Sequence, residues 1–149
     1  MNETLLADVQ LNTLGRGVGA ICLYALVGLV LMVVGFYAVD LSTPGKLRDL
    51  VKAGKPNATY ITAAGMLSMA FIIVVAIYAA GGRLVEGVTY ALIYGLVGII
   101  AQIVCVRVLD LITGVDMDEL MYSDVFLPQA RVIGACHLAL GLIVAMAVF

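Results

Sequence analysis

Charge is scarce in this chain. Asp, Glu, Lys and Arg make up 12% of its 149 residues, against a hydrophobic share of 64% and a mean hydropathy of +1.15. A soluble domain of this length cannot cover its core with so little polar surface, so a soluble globular fold is excluded. The few charges sum to a formal −2 and fall in short segments, which excludes the basic face that a nucleic-acid partner requires. Histidine occurs once, at His137, and Cys22, Cys105 and Cys136 lie inside apolar runs without CxxC spacing. A single histidine with no second ligand nearby makes a poor metal or haem site, and the cysteines read as small buried apolar residues. No metal, no cofactor and, without a nucleophile–base pair, no enzyme is expected. A secretory signal is also lacking: the segment before the first apolar run is acidic, and no small-residue cleavage site follows it.

What the chain does have is apolar length. Runs of eighteen or more apolar residues are membrane spans. Four fit, at about Gly17–Ala38, Asn57–Ala80, Val85–Leu109 and Gln129–Phe149, the last expected to end with the chain. Residues 1–16 are mixed, with Leu5, Leu6 and Val9 on one face of a short interfacial turn of helix and Glu3 and Asp8 off it. Gly81 and Gly82 stop the second span and make a tight turn into the third.

The stretch 23–50 is repeated at 93–120, seventy residues on and without a gap. Identities include Tyr24/Tyr94, Leu26/Leu96, Val27/Val97, Gly28/Gly98, Asp40/Asp110, Leu41/Leu111, Thr43/Thr113 and Leu50/Leu120. Any two membrane helices share apolar residues, so the polar matches carry the weight. Beyond them Pro56-Asn57-Ala58 answers Pro128-Gln129-Ala130, and Ile61 answers Ile133, at an offset of seventy-two. Two residues are thus inserted near 121–127. Both long connections carry a short amphipathic helix: Leu47, Leu50 and Val51 mark the first, between Pro44 and Gly54, and Met117, Leu120 and Met121 the second. The expected fold is an all-α membrane protein, one integral domain over 1–149. Its four transmembrane helices form two parallel two-helix repeats (about 17–80 and 85–149), with short interfacial helices on the cytoplasmic side.

Lys46, Arg48, Lys52, Lys55, Arg107 and Arg131 fall on one side of the membrane, and Arg16 and Arg83 on the other. The positive-inside rule then places 39–56 and 110–128 in the cytoplasm and both termini outside. Two spans per copy give both copies one orientation, related by a pseudo-two-fold axis along the membrane normal.

With Thr43-Pro44, five residues, then Leu50-Val51-Lys52, and the small-residue run from Ala58 to Gly65, the chain resembles the YjfL-like family of small bacterial inner-membrane proteins. That family is a domain of unknown function occurring in tandem pairs. The resemblance covers nearly the whole chain and implies a location, the bacterial inner membrane, and a topology. It carries no agreed activity. The second copy departs from the pattern at Pro128-Gln129, where an Asn-containing start to the fourth span is expected.

Polar residues within spans are costly and mark candidate sites. Gln102 lies eight residues before Asp110, and His137 eight after Gln129, so each sits about 12 Å below its helix end. A Gln–His hydrogen bond joining spans three and four is the plain reading; a proton or solute relay, or a metal or haem ligand, are the sharper ones. Asp40 and Asp110 end spans one and three, where the helix dipole disfavours a carboxylate. Arg107 compensates Asp110 at i, i+3, whereas Asp40 lacks a basic neighbour and caps the turn into Ser42-Thr43. The interfacial helices carry opposite charge, Lys46, Arg48 and Lys52 against Asp116, Asp118 and Glu119. The first alone suits anionic lipid. Their matched opposition suits contact within one chain or head to tail between chains, with solvated charge as the plain alternative. Small residues such as Gly15 and Gly19, Gly134 and Gly141 allow close helix approach.

Function is legible as a class. The chain reads as a self-associating structural or interaction component of a membrane assembly, its partners being lipid and further copies or other membrane proteins. The alternative is a small solute or ion channel or transporter.

Overall fold

The computed structural model describes the backbone of residues 2–42 and 45–148, and the side chains of 12–41 and 45–148. Thr43-Pro44 and the side chains of Leu5, Leu6 and Val9 therefore lie outside the described residues. Among the described residues six helices follow in order: α1 (Asn2–Ser42), α2 (Leu47–Lys52), α3 (Pro56–Ala79), α4 (Leu84–Thr113), α5 (Met117–Tyr122) and α6 (Pro128–Ala147). Among the described residues there is no strand. Four helices are long and apolar enough to cross a membrane, over Asn12–Leu41, Pro56–Ala79, Leu84–Thr113 and Pro128–Ala147.

Local chemistry sets the boundaries. Pro56 and Pro128 open α3 and α6, where a missing N–H costs nothing. Gly114, at φ 60°, ends α4 in the left-handed conformation, and its N–H bonds the Asp110 carbonyl. Gly81 and Gly82 make the turn between α3 and α4 at φ 60° and 81°, where a side chain would be strained. Asp116 caps α5, its carboxylate accepting from the Glu119 N–H at 3.1 Å. The expectation of a separate short turn before Gly17 is corrected: α1 is one continuous helix of 41 residues. No proline interrupts it, and a glycine costs only about 1 kcal/mol, less than the unsatisfied backbone that a break in hydrocarbon would leave. At 1.5 Å per residue α1 is about 60 Å long, roughly twice the hydrocarbon thickness.

Helix α3 is the hub and packs on all five others. Its tightest neighbour is α6, because small residues face it: a side-chain carbon added at Gly141 would sit 2.9 Å from the Ser68 backbone. Added at Gly134, it would meet the Tyr60 ring and, at 3.3 Å, Ala64. Along α4, Gly95 receives Leu31 and Gly98 receives Ile72 in the same way. One apolar cluster joins Leu47 and Leu50 of α2 to Met117, Leu120 and Met121 of α5, over Ile61, Val106 and Ile133. Both short helices thus bury their apolar side in one core. By contrast α1 is nearly uncovered: 6% of its most apolar stretch is buried, against 39% for α3.

Candidate functional site: a buried polar cluster

At the junction of α3, α4 and α6 three polar side chains meet in an apolar interior. Ser68, Gln102 and His137 are each 0–1% exposed. The Ser68 hydroxyl donates to the His137 carbonyl at 2.7 Å. The Gln102 amide donates to Ser68 Oγ and, at 3.4 Å, to the same carbonyl. Its Oε1 bonds His137 Nδ1. An amide oxygen only accepts, so Nδ1 donates in this pair, and in the neutral ring Nε2 is the unprotonated nitrogen. Nε2 is buried and has no partner. Interhelical bonds of this kind contribute about 0.6–1.7 kcal/mol each in membranes; together they pin three helices in register.

Gln102 and His137 line a cavity of about 20 Å³, room for one water-sized occupant. Its other walls are apolar or nearly so: Met32, Gly35 and Phe36 of α1, Thr62, Gly65, Met66 and Met69 of α3, and Ile99 of α4. The Thr62 hydroxyl bonds back to the Ala58 carbonyl at 2.7 Å.

Asp40 and Asp110 do not join this cluster. Asp40 accepts a hydrogen bond from the Leu47 N–H and so caps α2 from outside it, whereas the expected turn into Ser42-Thr43 lies outside the described residues. Asp110 lies in a separate surface recess with Arg107 and Asp116. The expected Arg107–Asp110 pair is corrected. Among the described residues the ion pairs are Lys55–Asp124 and Arg83–Glu86, each at 2.6 Å. Asp110 lies in the last turn of α4, which ends at Thr113, and Arg107 is exposed. Lys46, Arg48, Lys52, Asp116, Asp118 and Glu119 are all exposed, and none forms an ion pair with another among the described residues. The contact within one chain suggested by their opposed charge is absent from that set.

A second polar feature was not legible as a site. Asn57, fully buried at the start of α3, holds the connection between α5 and α6. Its amide donates to the carbonyls of Leu120 at 3.0 Å and Val125 at 2.8 Å, and its oxygen accepts from the Leu127 N–H at 2.8 Å. Lys55–Asp124 and an edge-on stack of Tyr60 on Phe126, 5.4 Å between centroids, extend the clamp. Arg131 lies 5.3 Å above the same Phe126 ring. Ser68 went unread for a simpler reason: a lone serine is common in membrane helices. Its signal is a polar residue at mid-span, as for Gln102 and His137.

The described residues contain no group of three His, Cys, Asp or Glu side chains placed to hold a metal. No solved structure matches the chain. A "UPF0719 transmembrane protein" of Mycolicibacterium paratuberculosis is 34% identical over 144 residues, covering 96% of this chain and 95% of that protein. A UPF0719 transmembrane protein of Mycobacterium bovis is 39% identical over 88 residues, 58% of each chain. The family profile described as Domain of Unknown Function (DUF350) matches residues 13–148. Four membrane-length helices, near full-length similarity to a transmembrane relative, and this match together place the chain in the DUF350 family of transmembrane proteins.

Proposed function

We propose that the chain is a self-associating structural component of a bacterial inner-membrane assembly, without catalytic activity. In this reading it consists of two parallel two-helix repeats, with α2 and α5 in the cytoplasmic interface and both termini outside. Supporting the repeat, α2 and α5 begin seventy residues apart and bury their apolar faces in one cluster while their charges point out. Supporting the orientation, six of the eight basic residues fall on the side of α2 and α5. Outside labelling of Gly82→Cys, with no labelling of Lys52→Cys, is the expected pattern; the reverse would invert the topology.

The observation that carries self-association is α1. It exposes Leu14, Val18, Ile21, Leu26, Leu29 and Val30, and its Gly15, Gly17 and Gly19 have nothing within 4 Å. Helices in lipid associate where small residues let backbones approach, and Gly15-x-x-x-Gly19 has that spacing. The occupant we assign to this face is α1 of a second copy. Cys22 is exposed on the same helix, so the wild-type chain carries its own reporter. With Cys105 and Cys136 replaced by serine, mild oxidation in native membranes should yield a disulfide-linked dimer, and Gly19→Leu should reduce it several-fold. A monomer band throughout, together with single-chain size in mild detergent, would overturn the reading. The rival, a solute or ion pathway, draws on the Gln102–His137 pair and the cavity beside it. Room for one water, and the absence of Asp40 and Asp110 from the lining, weigh against it.

A further inference from the structure

Helix α1 is nearly uncovered, and where it passes α3 the two helices leave a groove of about 310 Å³. Leu29, Val33 and Tyr37 line it at four-residue spacing, one row on one face of α1, with Phe36 beside them and Met66 across on α3. Leu29, Val33, Tyr37 and Met66 are all exposed, so nothing else in the chain fills the groove. From Leu29 to Tyr37 the row is about 12 Å long at 1.5 Å per residue. That is close to the depth of one leaflet, half of a hydrocarbon core about 30 Å thick. Tyr37, edge-on to Phe36 at 5.8 Å, lies toward α2, at the level where tyrosine sits between hydrocarbon and water.

Arg48 of α2 completes the lining at that end. Its own helix is anchored: Leu47 and Leu50 are buried, and the Asp40 carboxylate holds the Leu47 N–H. Arg48 itself is exposed and forms no ion pair among the described residues. The nearby acids are engaged elsewhere, Asp40 on that N–H and Asp49 in a different recess with Lys46 and Lys55. Lys52, one turn on from Arg48, is exposed as well. An apolar slot one leaflet deep with a guanidinium at its water end suits the two parts of one molecule. An acyl chain fills the slot, and a phosphate takes the paired N–H donors that arginine presents. A zwitterionic headgroup brings its own cation to compete with Arg48, whereas a net-negative one does not. Broad adhesion to an anionic surface is not the cause, because the other short helix exposes Asp116, Asp118 and Glu119. We propose that the groove between α1 and α3 binds one phospholipid of net negative charge, its acyl chain along Leu29, Val33 and Met66 and its phosphate on Arg48. The site does not depend on which side of the membrane α2 occupies. Nor does it depend on self-association, since Gly19 lies about 15 Å along α1 from Leu29.

The chain contains no tryptophan, so Leu29→Trp places a single fluorophore at the inner end of the groove. The full-length variant is reconstituted in bilayers, and its emission is quenched with phosphatidylglycerol or phosphatidylcholine carrying brominated acyl chains. At equal mole fraction phosphatidylglycerol should be preferred about fivefold, the effect of one basic group at an anionic headgroup. Ile143→Trp, exposed on α6, should report no preference. In the Leu29→Trp background, Arg48→Gln should abolish the preference and Arg107→Gln should leave it. Both positions are exposed, so the helical circular dichroism should not change. Val33→Phe, which crowds the groove without altering charge, should also lower the preference. Added inorganic phosphate should not relieve the quenching. Equal preference at the two reporters would reduce the occupant to ordinary boundary lipid and overturn the site. A preference that survives Arg48→Gln or Val33→Phe, or that falls equally with Arg107→Gln, would overturn it too. Relief of quenching by inorganic phosphate would overturn the assignment to a lipid.

Discussion

Two regions of this chain, aligned on the repeat proposed above at an offset of seventy to seventy-two residues, do different work at aligned positions. Asn57 and Gln129 each follow the proline that opens a helix, yet Asn57 is buried in three hydrogen bonds while Gln129 lies exposed. Met32 answers Gln102 and Gly65 answers His137, and all four line one cavity. The second half supplies the polar pair; the first supplies a thioether and a glycine. Asp40 caps α2, whereas α5 is capped by its own Asp116 and Asp110 is left to the surface. The short helices α2 and α5 start seventy residues apart, while the polar groups differ between the two regions.

The largest break in that comparison should come from Asn57. Asn57→Ala removes three bonds and leaves partners short of water, at a cost of about 3 kcal/mol. Gln129→Ala, at the matched and exposed position, should stay within about 0.5 kcal/mol. Denaturant unfolding of both in the same micelles checks this, and equal effects would erase the distinction between the halves. Next comes the buried pair. Gln102→Leu and His137→Leu should each destabilise by about 2 kcal/mol. Their double-mutant cycle should show a coupling of about 0.6–2 kcal/mol. Met32→Leu, matched to Gln102, conserves volume and should cost under about 1.5 kcal/mol. Additive losses for the pair would mean that the two side chains do not act together.

Smaller effects sharpen the picture at the ends of the short helices. Asp40→Ala should cost about 1 kcal/mol by uncapping α2, and Asp110→Ala almost nothing, by the same unfolding assay. Smallest of all is the charge opposition of α2 and α5, since an exposed pair contributes about 0–1 kcal/mol. Lys46→Glu with Arg48→Glu should weaken self-association at low salt, read as detergent-solubilised size. The rescue should come from Asp118→Lys with Glu119→Lys, because Asp116 is needed as the α5 cap. A rescue that fails would leave the two helices independently solvated.

The four spans and both short helices were legible because hydropathy and helical period report directly on them. Boundaries differ by one to four residues on α3, α4 and α6, and by up to fifteen on α1, whose helix starts at Asn2, well before the apolar run that defines its span. Gln102 and His137 stood out by being polar at mid-span. Asn57 did not, since polar residues are expected where a helix starts; its burial depends on where residues 120–127 fold, and no local pattern carries that. Arg107 and Asp110 had the right spacing for a pair, but spacing on an exposed helix permits a pair without requiring one.

The Asn57 clamp also sets an order of events. Its partners, Leu120, Val125 and Leu127, follow it by 63 to 70 residues. A ribosome delivers the chain N-terminus first, so α3 is made and inserted while the amide at its mouth has nothing to hold. Until Leu127 emerges, that amide oxygen lacks its acceptor role in the clamp and is left to other partners. The first half of the molecule is therefore unfinished business until the second half arrives, and a chain stopped after α4 would present a helix pair still waiting for its latch.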